Sequence, residues 1–94
     1  MLYREARRAN ALLRSNHLND PLHPLLRPNG EHCSIFPKDL ASLFGQNSSS
    51  AKQLAIEYEL PVSEGEPSAR EKNLNRFMQH IGVSGVVLYI MRQG

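Results

Sequence analysis

The sequence predicts a single, mainly α-helical domain with a short β element that includes a C-terminal strand. Three observations support this class: the chain has 94 residues, 40% of them are apolar, and several segments repeat apolar residues at helical spacing. The charged fraction of 21% is typical of a globular chain rather than a disordered one. We therefore expect residues 1–94 to form one domain around one core.

A basic amphipathic helix is predicted over residues 1–15. At 100° per residue, Leu2, Ala6, Ala9 and Leu13 fall on one narrow stripe, whereas the arginines fall on the opposite side. The helix therefore combines a thin apolar seam with a basic back, which is formed by Arg4, Arg7, Arg8 and Arg14.

An irregular connection follows, because prolines and an Asn29-Gly30 turn interrupt residues 15–30. Its leucines are expected to pack on the core. The segment from Cys33 to Phe36 is short and β-prone at its end. It is the internal candidate to pair with a strand predicted over residues 85–92, where β-branched and apolar residues occupy both alternating faces.

A helix-turn-helix-like pair is predicted over residues 37–59. Pro37 at a first-turn position and Gly45 as a stop outline a short first helix. Asn47 or one of the three serines after it can cap the second helix through a side-chain oxygen. The apolar residues of that helix have i, i+3, i+4, i+7 spacing: Ala51, Leu54, Ala55 and Tyr58.

Residues 37–56 can be laid on the twenty-residue helix-turn-helix pattern. Leu40, Ala41 and Phe44 take the core positions of its first helix, Gly45 takes the turn, and Ala51 and Leu54 take the core positions of its second helix. The small Ala41 would let the helices approach closely, and Gly45 would tolerate a positive φ. This segment resembles the helix-turn-helix group of DNA-binding domains. The resemblance implies that the second helix enters the major groove.

Candidate DNA-binding residues cluster on and around that second helix. Ser48, Ser49 and Ser50 can touch phosphates through their hydroxyls and the helix N-terminus. Lys52 suits guanine and Gln53 suits adenine. Contacts to backbone phosphates are expected from Arg4, Arg7, Arg8, Lys72 and Arg76.

The charge distribution gives partial support to this interpretation. Residues 1–27 hold five of the 11 basic residues but only two of the nine acidic ones. Several arginines on one side could release counterions from DNA. Glu57 and Glu59, however, would repel phosphates near the second helix. The formal net charge of +2 is too small to drive strong non-specific binding to polyanions.

A further helix is predicted over residues 68–81. Ser68 and Glu71 match a capping box, and Gly82 supplies a left-handed stop. Its apolar stripe consists of Leu74, Phe77, Met78 and Ile81.

We expect no metal site, no cofactor and no enzymatic activity. His17, His23, His32 and Cys33 lack the regular paired spacing of a structural zinc site. Adjacent His32 and Cys33 would point to opposite faces of an extended segment, so neither would activate the other. The longest apolar run is far shorter than the roughly 20 residues of a membrane helix. A lone cysteine favours a reducing, cytoplasmic location.

The leading interpretation is a small DNA-binding protein that regulates transcription. A homodimer formed through residues 86–91 or the first helix would suit a two-fold operator. The alternative is a non-enzymatic protein–protein interaction module, such as an adaptor, inhibitor or chaperone-like factor. It would dock on an acidic partner through the basic N-terminal helix or the C-terminal strand.

Overall fold

The computed structural model describes residues 3–12 and 19–83 of the chain. Within these ranges it contains four helices: α1 (Tyr3–Ala11), α2 (Leu40–Phe44), α3 (Ser48–Glu57) and α4 (Ala69–Ile81). The mainly helical class is therefore confirmed for the described residues. The predicted first helix corresponds to α1, while residues 1–2 and 13–15 lie outside the described ranges. None of the four helices has the length and apolar character needed to span a membrane.

α3 and α4 pack against each other and form the centre of the core. The predicted stripe of α3 is buried, as Leu54 and Tyr58 illustrate. The predicted stripe of α4 is buried too, including Phe77 and Ile81. Each large apolar side chain removed from water contributes about 1.5–3 kcal/mol. The match between the two stripes therefore determines which faces of α3 and α4 meet.

α1 lies against the C-terminal end of α4. Asn10 is fully buried, and its Nδ2 donates to Ile81 O at 2.8 Å and to His23 O at 3.1 Å. Its Oδ1 accepts from His23 N at 2.8 Å. Gly82 has a φ of 99° and lies so close to α1 that a Cβ would clash with the carbonyl group of Arg7. The left-handed stop predicted at Gly82 is therefore confirmed, and it also allows the two helices to approach.

Residues 19–39 cross the core between α1 and α2. Leu22 and Leu25 are buried, as predicted for the leucines of this connection, but Leu26 is 46% exposed and does not pack on the core. Tyr58 Oη donates to Leu25 O at 2.5 Å, which ties the segment to the end of α3. Among the described residues, β pairing is limited to one isolated bridge between Pro21 and Asp39.

The prediction of a strand around Cys33 and Phe36 is wrong. The chain turns here, and Phe36 N donates to Cys33 O at 3.3 Å. The Phe36 ring packs edge-on against Tyr58 and Phe77, with centroid distances of 6.4 and 5.7 Å. Packing of this aromatic side chain on the helical core thus takes the place of a β ladder. The strand predicted over residues 85–92 lies outside the described residues.

Two predicted helix starts also differ from the structure. Pro37 precedes α2 rather than lying in its first turn; the N-cap is Asp39, whose Oδ1 accepts from Ser42 N at 2.8 Å. Ser68 makes no capping hydrogen bond, because its backbone (φ −95°, ψ 11°) is not extended as a cap requires. The capping box predicted for Ser68 and Glu71 is therefore wrong, although α4 itself spans the predicted range.

Candidate nucleic-acid interface

A corner separates α2 from α3, since a three-residue turn lies between Phe44 and the start of α3. Gly45 ends α2, as predicted, but with a φ of −81°, so the corner does not use the positive φ that a glycine would tolerate there. Ala41 was expected between the two helices but is exposed. Leu40 is buried as predicted, Phe44 is half-buried, and the second buried residue of α2 is Leu43, which faces the core formed by α3 and α4.

Arg70 of α4 holds this corner. Its Nε donates to Gln46 O and its Nη2 donates to Phe44 O, both at 2.6 Å. Gln46 Nε2 donates in turn to Ser42 O at 2.9 Å. The last carbonyl groups of a helix lack intrahelical donors, so the guanidinium group satisfies Phe44 O, and its second bond, to Gln46 O, fixes the turn. Sequence reasoning missed Arg70 because these partners are 24 and 26 residues away along the chain.

The start of α3 is capped by Asn47. Its Oδ1 accepts from Ser50 N at 2.8 Å, and Ser50 Oγ accepts from Asn47 N at 3.1 Å. This reciprocal capping box engages Ser50 within the protein, whereas Ser48 and Ser49 are exposed. The N–H groups of Ser48 and Ser49 belong to the first turn, where no intrahelical acceptor exists. The positive end of the helix dipole lies at the same place.

The outer face of α3 carries Lys52, Gln53 and Ile56. Gln53 and Ile56 are exposed, Ile56 by 46%, and Lys52 is half-buried. Lys52 Nζ lies 2.6 Å from Glu64 Oε2, so this candidate base-reading cation forms an ion pair. The face therefore points toward solvent rather than toward the core, with one of its two candidate base-reading side chains already engaged.

The acidic loop, defined as residues 62–67, connects α3 to α4. Asn73 anchors it, because its Nδ2 donates to Ser63 O at 2.9 Å and its Oδ1 accepts from Ser63 N at 2.8 Å. Gly65 has a φ of 77° and allows the chain to reverse at the tip. Asn73 is 1% exposed and neighbours Leu74 of the apolar stripe. A polar residue beside such a stripe is the sequence signal that could have revealed the anchor.

Lys72 and Arg76, two predicted phosphate contacts on α4, both bind the connection between α3 and α4. Lys72 Nζ lies 2.9 Å from Glu66 Oε2. Arg76 Nη1 donates to Ser63 Oγ at 2.8 Å and to Pro61 O at 3.2 Å. The hydrogen bond from Lys72 lowers the pKa of Glu66, against an opposing effect of burial. Glu66 is therefore held in its charged form beside these two cations.

An open recess of about 460 Å³ lies between the start of α3 and the acidic loop. It combines hydroxyl, cationic and anionic groups on one surface. The residues that carry these groups and the loop anchor are Ser48, Ser49, Lys52, Glu64, Glu66 and Asn73. The structure thus brings the predicted residues of α3 next to two glutamates that the prediction did not include.

The arginines of α1 lie at the other end of α4. Arg7 Nε donates to His80 O at 2.9 Å, and its Nη2 donates to the preceding carbonyl group at 3.1 Å. Arg8 is exposed, and the side chain of Arg4 lies outside the described part of the protein. About 12 Å of helix, at 1.5 Å per residue, separates Lys72 from His80. The predicted phosphate contacts therefore fall into two separate groups.

The residues considered as metal ligands do not form a cluster in the described ranges. No three His, Cys, Asp or Glu side chains within residues 3–12 and 19–83 are grouped so that they could hold a metal ion. Cys33 is half-buried beside Tyr58, and burial raises the pKa of the Tyr58 phenol. His32 is exposed, while His17 lies outside the described residues.

The candidate interface is therefore the solvent-facing start of α3 and the recess beside it, together with Lys72 and Arg76 of α4, which bind residues of the acidic loop. Residues 63–67 of the acidic loop line one side of the recess. No family model, curated protein or solved structure matches this chain.

Proposed function

We propose that this chain is a small DNA-binding regulatory protein that uses the corner between α2 and α3. The observation that supports the proposal is the exposed start of α3. After the Asn47 cap, Ser48, Ser49 and Gln53 are exposed on a helix whose opposite face is buried in the core. A helix that is anchored on one side and polar on the other can enter a major groove.

Each exposed group has a role that suits DNA. The hydroxyl and N–H groups of Ser48 and Ser49 would bind a phosphate at the positive end of the helix dipole. Gln53 would pair with adenine, and Lys52 would pair with guanine once it leaves Glu64. Lys72 and Arg76 would contact the adjacent phosphates. Arg7 and Arg8 would reach only phosphates farther along the duplex, because they lie on α1 at the opposite end of α4.

The ion pair of Lys52 is compatible with this role. Its partners are 40% and 66% exposed, and exposed pairs of this kind contribute only about 0.2–1 kcal/mol. A phosphate can therefore replace the carboxylate at small cost. We expect the protein to act in a cytoplasm, where its single cysteine would stay reduced.

Titration of a labelled random duplex DNA at two or more salt concentrations tests this proposal. About five phosphate contacts would give a log–log slope of affinity against salt near −4 to −5. Lys52→Glu should weaken the complex, because it places a negative charge on the proposed groove-facing side. The absence of any association at low salt would remove the proposal.

A second candidate function, docking on an acidic protein partner, is favoured by the end of α1. Leu12 is 72% exposed there, close in sequence to the exposed basic residue Arg8. An apolar side chain combined with a cation suits a groove with acidic edges. In that case Lys52→Glu would leave partner capture from a host lysate unchanged, whereas Leu12→Ser together with Arg8→Glu would reduce it. The predicted C-terminal docking strand lies outside the described residues.

A further inference from the structure

Three of the cations proposed to contact DNA converge on one short stretch of chain. Lys52 of α3 pairs with Glu64, and Lys72 of α4 pairs with Glu66. Arg76 of α4 donates to Ser63 Oγ at 2.8 Å. The two glutamates therefore neutralise, within the protein itself, two of the lysines that would otherwise meet phosphates.

The acidic loop is held in this position by features other than the ion pairs. The fully buried Asn73 forms two hydrogen bonds with the backbone of Ser63. Gly65, with a φ of 77°, turns the chain between the glutamates. The carboxylates of the acidic loop are therefore held on an anchored backbone. An anchored carboxylate competes for a lysine better than one on a free tail, because little chain entropy is lost when the ion pair forms.

We propose that the acidic loop is an autoinhibitory element that competes with DNA phosphates for Lys52 and Lys72. This inference rests on the proposed function. When DNA binds, each glutamate must release its lysine, and the carboxylates left behind repel the duplex. The wild-type protein therefore binds duplex DNA more weakly than its cations alone would allow.

The loop can be tested by neutralising its two carboxylates without changing their size. In Glu64→Gln/Glu66→Gln, both lysines keep their positions but lose their charged partners. Two exposed pairs of about 0.2–1 kcal/mol each correspond to a gain in DNA affinity of about 2- to 30-fold. The salt dependence should also become steeper, because Lys52 and Lys72 then release additional counterions.

The matched control is Asp20→Asn/Glu31→Gln, which changes the net charge by the same amount. Both residues are exposed, and neither pairs with Lys52 or Lys72. We expect the control to change affinity less than twofold. The loop variant should also melt no higher than the wild type, so that improved folding does not account for tighter binding.

The possible outcomes separate this inference from the proposed function. A selective gain in the loop variant supports both. Binding by the wild type with no gain, or with an equal gain in the control, overturns the autoinhibition and leaves the DNA-binding proposal in place. A failure of all three proteins to bind at low salt overturns both.

Discussion

Two polar side chains deep in the core, Asn10 and Asn73, determine how separate segments meet. Asn10 connects α1 to the residue 19–39 segment and to the end of α4. Asn73 connects α4 to the acidic loop. Leaving a buried backbone group without its partner costs about 1–3 kcal/mol, so such asparagines hold segments that lack regular secondary structure. The sequence shows both residues, but not the distant carbonyl groups that they bind.

Gly82 is the residue whose replacement should damage the packing of α1 most directly. Gly82→Ala would force a non-glycine residue into a φ of 99° and would push its Cβ against the carbonyl group of Arg7. These two effects together should cost about 2–5 kcal/mol, measured by urea unfolding. Gly30→Ala is the control, because Gly30 has a φ of 86° but nothing near its missing Cβ. Equal losses in both variants would show that α1 does not pack closely here.

His80 should make stability depend on pH. Burial and, secondarily, the charge of Arg7 lower the pKa of His80 from its ordinary value of 6.5. The unfolded chain therefore binds a proton at His80 before the folded protein does, and stability falls as the pH drops below 6.5. Urea unfolding at pH 7.5 and 5.5 should show a larger loss for the wild type than for His80→Gln.

His32→Gln is the control for this measurement, because His32 is exposed. It should keep the pH dependence of the wild type. If His80→Gln shows the same pH dependence as the wild type, the account of His80 is wrong.

At the scale of helices, the spacing of apolar residues predicted the buried faces reliably, whereas the residues expected to cap the helix ends were predicted less reliably. The stripes of α3 and α4 each repeat over several turns, and their predicted residues are buried. Single-residue signals were overridden by the backbone geometry, as at Ser68, where the expected cap does not form. The short β-prone segment before Pro37 does not form a strand, because the chain turns there and the Phe36 ring packs edge-on against Phe77 of the core.

Arg70 should be the main determinant of the corner between α2 and α3. Arg70→Met keeps the apolar stem but removes the donors to Phe44 O and Gln46 O. We expect a loss of about 1–3 kcal/mol in the free energy of unfolding. Arg70→Lys should restore little, because one ammonium group does not reproduce the two-pronged contact.

The control for Arg70 is Arg8→Met, since Arg8 is exposed and its replacement should alter stability by less than about 0.5 kcal/mol. Faster hydrogen exchange at Gln46 and Asn47 in Arg70→Met would confirm that the corner has loosened. Full rescue by Arg70→Lys would show instead that only the positive charge matters.

Over the whole molecule, the arrangement of charges was the feature least accessible from the sequence. The sequence shows that basic residues are concentrated in residues 1–27. The fold places Arg7 on the end of α4 and gives Lys52 and Lys72 partners in the acidic loop. Lys52 and Glu64 are 12 residues apart in different elements, so only the packing of α3 against α4 brings them together. The sequence shows which residues have side chains suited to binding DNA, but it does not show which of them form ion pairs with each other in the fold.

The most direct test of DNA binding through the start of α3 is Ser49→Asp. The new carboxylate would lie in the first turn of α3, where attraction to the positive end of the helix dipole opposes repulsion by Glu64 and Glu66, so the melting temperature should change little. It would also repel the phosphate proposed to bind there. Asn29→Asp is the matched control, because it adds the same charge far from the start of α3. Asn29 lies in the turn beside Arg27, and Arg27 pairs with Glu57 at the opposite end of α3.

The measurement is the affinity of the wild type and both variants for a labelled random duplex at low salt, with melting temperatures recorded in parallel. We predict that Ser49→Asp weakens binding about tenfold or more while Asn29→Asp stays within twofold of the wild type. Equal affinities for the two variants, with both proteins folded, would contradict the placement of DNA at the start of α3.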